Sequence, residues 1–244
     1  MKKLLIPLMA AGCVASGASV MAVVPLTSGH ADVGIAYELG AFDLHVHDEA
    51  NDIEYPPADA LLVVGSQSLR YSPGGDYGFL GPKGTPVWVL PANQNPDLLF
   101  LGIGAEELIP GDWIGNLSLT LKSVSGPGTF SLWSTDVLGR PQVWMNSNGG
   151  VNDADRVSVI PGSHGHYNWG FSAPGSYQIA FEAAGVHRAD GPQNSGPVTY
   201  QFQVVPEPQT WALLGLGLAA LCCLGRNRFP TGDGAEEAIP VGNR

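Results

Sequence analysis

Phe42-Asp43-Leu44-His45-Val46-His47 alternates apolar and polar side chains residue by residue. A period of two marks a strand with one face in a core and the other outside it. Asn116-Leu117-Ser118-Leu119-Thr120-Leu121-Lys122 repeats the pattern. Other runs that suit strands are Ala60 to Val64, Pro86 to Leu90, Thr129 to Trp133, Gln142 to Met145, Arg156 to Ile160, Ser176 to Phe181 and Val198 to Val205. Turn chemistry separates them, as in Pro73-Gly74-Gly75, Ser125-Gly126-Pro127-Gly128 and Ala173-Pro174-Gly175. Only Ala105 to Leu108 reads as a helical turn, and 49–58 and 186–197 read as loops. About ten short strands without long helices predict an all-β domain, a β-sandwich of Ig-like or jelly-roll-like type.

The opening stretch also carries histidines. Four of the chain's six form two His-x-His pairs, His45/His47 and His164/His166. Random placement of six histidines in this length yields only roughly 0.15 such pairs. On a strand, residues i and i+2 point to one face, so each pair aims two imidazoles the same way. Two pairs on neighbouring strands would offer up to four nitrogens, which suits Zn²⁺, Cu²⁺ or Mn²⁺. Asp43 shares the face of His45 on a regular strand, Asp48, Glu49, Asp52 and Glu54 follow, and His30 and Asp32 offer a further ligand. The expectation is one metal site made by His45, His47, His164 and His166. Downstream, Tyr167, Trp169 and Phe171 share a face and are expected in the core, opposite Asn168.

Outward from this domain, both ends are specialised. Met1-Lys2-Lys3 is followed by a charge-free, mostly apolar stretch from Leu4 to Val24, with Val20-Met21-Ala22 suited to cleavage. This is the layout of a signal peptide over residues 1–22. At the other end Val205-Pro206-Glu207-Pro208 precedes Trp211, an apolar run from Ala212 to Gly225, and Arg226 and Arg228. That run falls short of the ~20 residues of a free-standing span. Its tryptophan and arginines nevertheless fit an interfacial anchor and a cytoplasmic stop, so it is expected to be a C-terminal transmembrane helix. Residues 229–244, with Asp233, Glu236 and Glu237, read as a disordered tail.

Residues 23–204 remain as one exported domain. Over 23–205, eighteen acidic side chains face six basic ones, a net charge of −12 with histidine neutral. That balance argues against nucleic acid and favours cations. All three cysteines (Cys13, Cys222, Cys223) lie in the end segments, so no disulfide staples the domain.

Val205-Pro206-Glu207-Pro208, the apolar segment and the terminal arginines resemble the PEP-CTERM sorting signal. That resemblance implies an exosortase as sorting partner, attachment to the membrane through the C-terminal segment, and the cell surface or extracellular matrix of a Gram-negative, polysaccharide-producing bacterium as destination. A second resemblance is spread over Gly29-His30-Ala31-Asp32-Val33-Gly34, Asp43 to Glu49, Val87 to Pro91, Ser125 to Gly128, Gly162 to Phe171 and Pro174 to Tyr177. These are similar to the choice-of-anchor M domain, itself similar to actinobacterial surface-anchored repeats. It implies surface display and a link to metal-transport systems.

The chain has no Gly-x-Ser-x-Gly elbow, no phosphate-binding loop and no His-Glu-x-x-His. The leading expectation is therefore a non-catalytic surface domain that binds zinc or another divalent transition metal. The alternatives are a matrix, adhesin or carbohydrate-binding domain without metal, and a cupin-like metalloenzyme. For the last, the second His-x-His lacks the accompanying glycine pattern.

Overall fold

The computed structural model describes residues 22–206 and the single position Leu221. The expected signal peptide, the apolar anchor with Arg226 and Arg228, and the expected tail lie outside the described residues, apart from Ala22, Leu221 and the first two residues of the sorting signal. Among the described residues no helix is long and apolar enough to cross a membrane.

The described residues form seventeen strands. They are β1 (Val24–Leu26), β2 (Gly29–Glu38), β3 (Ala41–Asp48), β4 (Ile53–Tyr55), β5 (Ala60–Val64) and β6 (Leu69–Tyr71). Next come β7 (Pro86–Leu90), β8 (Leu99–Gly104), β9 (Leu117–Ser125), β10 (Phe130–Thr135), β11 (Pro141–Asn146) and β12 (Arg156–Val159). The last are β13 (His164–His166), β14 (Asn168–Phe171), β15 (Gly175–His187), β16 (Gly191–Asn194) and β17 (Val198–Val204). Within 22–206 helical structure is confined to short 3-10 turns at Ser66–Ser68, Gly75–Leu80 and Pro110–Asp112.

The strands form three sheets rather than the two layers of a simple sandwich, and none closes into a barrel. The largest runs β1-β5-β17-β15-β9-β12, with β16 added to β15. A second is ordered β11-β10-β14-β7-β6, and the third β13-β8-β2-β3-β4. One core joins them: Leu62, Phe181, Tyr200 and Phe202 from the first, Phe130, Leu132, Trp169 and Phe171 from the second, Val33, Ile35, Leu101 and Ile103 from the third. Trp169 and Phe171 are fully buried, as their spacing predicts, whereas Tyr167 is half-buried and packs against the core from its rim.

Two stretches expected as loops carry strands. β4 lies within 49–58, and β15 runs on to His187 before turning back as β16. Both gain structure by pairing with a long neighbour, which local composition does not reveal. The ten residues of β2 escape a period-two reading for a different reason. Ala31 to Ala36 are buried on both faces, and such a strand reads as a continuous buried run.

Candidate metal centre

The β13-β8-β2-β3-β4 sheet turns one face to the core and the other to the histidines. Register fixes which residues share that second face. Asp32 pairs with His47 and Gly34 with His45. On the other side of β2, Asp32 pairs with Gly102, Gly34 with Gly104 and His30 with Phe100. β13 completes the rows, His166 against Gly102 and His164 against Gly104. Across the sheet, one row therefore reads His166, Gly102, Asp32, His47 and the next His164, Gly104, Gly34, His45. The His-x-His pairs stand at the two ends of a glycine floor, with Asp32 between them.

The glycines are required by close approach. A methyl at Gly34 would overlap the His45 ring, and one at Gly102 would overlap Asp32 Oδ1 and come within 3.0 Å of His166 Cε1. Core side chains on the opposite face steady the strands. Trp169 Nε1 donates to the Leu101 carbonyl at 3.1 Å, and the Tyr200 hydroxyl donates to the His45 carbonyl at 3.3 Å.

Two loops bring carboxylates over the floor. Ala105 to Leu108 forms a hydrogen-bonded turn, from Leu108 N to Ala105 O at 3.1 Å. It is tied to the approach of β13 by bonds from Ala105 N to Ser163 O and from Gly162 N to Ala105 O. This carries Glu106 to His164, with Oε1 2.5 Å from Nδ1, and Glu107 to His45, with Oε1 3.1 Å from Nε2. After β3, Glu49 N donates to the His30 carbonyl, and its Oε1 lies 3.0 Å from His47 Nδ1. Asp32, Gly34, His47, Glu49, Gly104, Glu106 and Glu107 line a cavity of about 230 Å³.

The four expected ligands fall into two sets. His45 and His47 join Glu107; His164 and His166 join His30. Within each set one donor atom per residue lies within 4.8 Å of the others. A third set, Asp32, Glu106 and His164, overlaps the second. The single site expected of the four histidines is thus replaced by two groups, because β8 and β2 lie between β13 and β3. Of the expected carboxylates, Glu49 and Asp32 face the histidines. Asp43 is exposed, and Asp48 turns to Ala50 N and Asn51 Nδ2 instead. Asp52 is fully exposed, 3.6 Å from His47 Nε2. Glu106 and Glu107 were not expected. Their signal is a glutamate pair one residue after Gly102-Ile103-Gly104, on the turn at Ala105 to Leu108.

The polar atoms here are short of partners. Asp32 is 1% exposed and His45 3%. Neither oxygen of Asp32 and neither nitrogen of His45 makes a hydrogen bond, and the same holds for both nitrogens of His166, His30 Nε2 and Glu49 Oε1. The close approaches of His45 to Glu107 and of His47 to Glu49 lack hydrogen-bond alignment. Donors converging at about 3 Å without bonding one another are spaced like ligands around an ion with ~2.0–2.1 Å bonds. Burial raises the Asp32 carboxyl above its ordinary range, against the pull of His30 and His164. Glu106, hydrogen-bonded to His164, raises that imidazole. Burial, reinforced by His30, lowers His166 to about 4, which keeps it neutral and able to ligate.

From the end of β17 onward the sequence has a known counterpart. Residues 204–227 match the PEP-CTERM protein-sorting motif. The motif implies an exosortase as sorting partner and the envelope of a Gram-negative bacterium as destination. It starts at Val204, the last residue of β17. No curated protein and no solved structure matches the chain.

Proposed function

We propose that the exported domain is a non-catalytic, surface-displayed module that binds a divalent transition metal, zinc foremost, on the outer face of its histidine-bearing sheet. One observation carries this reading: Asp32 and His45 are buried there with all four of their polar side-chain atoms unbonded. A buried polar group without a partner costs about 1–3 kcal/mol, more if charged, and a bound cation removes that cost at every such atom at once. Mixed imidazole and carboxylate donors suit Zn²⁺, with Mn²⁺ and Cu²⁺ as alternatives. The fold is a β-sandwich enlarged by a third sheet. The resemblance to the choice-of-anchor M domain agrees with surface display, and extracellular polysaccharide or a metal-transport system are the partners it suggests. Carbohydrate stacking on Trp169 has little support, since its ring is fully buried, whereas Tyr167 is half-buried.

Elemental analysis of the full chain, purified without a histidine tag, tests the reading. Stoichiometric zinc, manganese or copper is expected. A chain that stays metal-free after incubation with each of these ions removes the proposal.

A further inference from the structure

The two-set arrangement points beyond a single ion. We propose that the site is binuclear: one divalent ion held by His30, His164 and His166, a second by His45, His47 and Glu107, with the Asp32 carboxylate between them. This rests on the metal-binding reading above and specifies how many ions it takes and where.

Three independent observations carry it. The first is distance. β13 and β3 are three inter-strand steps apart, and at about 4.8 Å per step their backbones are roughly 14 Å apart. Each His-x-His pair instead finds a third donor on its own side, His30 from β2 or Glu107 from the loop after β8. Each trio makes a set of three donor atoms within 4.8 Å of one another, the number of protein ligands that leaves a fourth position to be shared.

The second is the place of Asp32. Its Oδ1 lies 3.5 Å from His30 Nε2, in the first set. In register it stands directly opposite His47, in the second. Both its oxygens are buried and free of hydrogen bonds, over the floor left by Gly102 and Gly104. A buried carboxylate with two unbonded oxygens, grouped with His164 and Glu106 on one side and carried by the strand that pairs with His47 on the other, is placed to bridge two ions. Glu49 spans the same gap, its backbone bonded to His30 and its side chain beside His47.

The third is charge. Asp32, Glu49, Glu106 and Glu107 bring four formal negative charges to this face. Among the described residues the lysine and arginine ion pairs go elsewhere, Lys122 to Asp153 and Glu182 and Arg140 to Asp136. Two divalent ions neutralise four carboxylates, of which Asp32 is buried and Glu49 half-buried, the two whose charge costs most if uncompensated.

Native mass spectrometry of the detergent-solubilised full chain, stripped with chelator and titrated with Zn²⁺, tests the count. Two ions per chain are expected at saturation. The His45→Ala/His47→Ala and His164→Ala/His166→Ala double variants should each retain one. Asp32→Asn, which keeps the shape and removes the charge, should weaken the second binding step by at least tenfold. Saturation at one ion in the unaltered chain overturns the binuclear site and leaves the metal-binding reading standing. No ion at all overturns both. The count in the unaltered chain decides the matter even if a variant does not fold.

Discussion

The two faces of the β13-β8-β2-β3-β4 sheet are built from the same strands by opposite rules. Inward, Val33, Ile35, Leu44, Val46, Leu101 and Ile103 are at most 4% exposed and join the common core. Outward, alternate positions of those strands hold glycine, aspartate and histidine, with polar atoms lacking partners. The inner face stabilises the fold by apolar burial. The outer face is a cost until something charged and small sits on it. A third environment sharpens the contrast. His187 lies 2.7 Å from Asp190, packs on Tyr37 and Trp113, and accepts a bond from Asp190 N. It is a histidine held by its own turn and by aromatic neighbours, and it belongs to none of the three donor sets.

Substitutions on the two faces should therefore respond differently to metal. The largest loss is expected from Ile35→Ala, which leaves a cavity in the shared core and should cost about 2–5 kcal/mol. Denaturant unfolding should give the same loss with chelator and with Zn²⁺. A loss that depended on metal would mean the faces are not independent. Asp32→Asn should behave in reverse. Without metal it removes a buried charge and should leave stability unchanged or raised. With Zn²⁺ at about 100 times the dissociation constant, unaltered protein should gain about 2.7 kcal/mol per site bound only by the folded state, and the variant should gain less. The same sign in both conditions would count against a charge-compensating role.

Acid provides a subtler probe. In the metal-free protein the His166 value is depressed to about 4, so between pH 6.5 and 4 the unfolded chain binds the extra proton. Its contribution to stability is full above pH 6.5 and is lost as the pH falls toward 4. Asp32 and His164, both raised, act in the opposite direction as acid is added. The His166 part is isolated by comparing melting temperatures with His166→Asn, whose acid-side loss should be the smaller. The smallest effect is expected at His187→Gln: about 1 kcal/mol of stability, and no change in bound metal by elemental analysis.

How much of this the sequence reveals depends on whether a residue's role is local. β3, β5, β7 and the start of β9 are readable because their alternation or apolar run is set by their own side chains. β2 is not, because burial on both faces erases the alternation at the very strand that holds Asp32. The His-x-His pairs are visible as spacing, and so is their orientation. Their separation is not, since it depends on β8 and β2 entering between them. Glu107 becomes a candidate ligand only through the fold of the turn at Ala105 to Leu108, which places it beside a histidine about sixty residues earlier.

One feature of the largest sheet bears on life at a surface. β17 is flanked on both sides, parallel to β5 and antiparallel to β15, and Val205 N still bonds the Val64 carbonyl where the strand ends. The sorting motif begins there. A pull applied to the chain at Val205 would act along the axis of an interior strand. It loads two ladders in shear, all rungs together, whereas an edge strand would peel one rung at a time. The sorting motif thus begins at a strand that would have to lose both ladders at once before it yields.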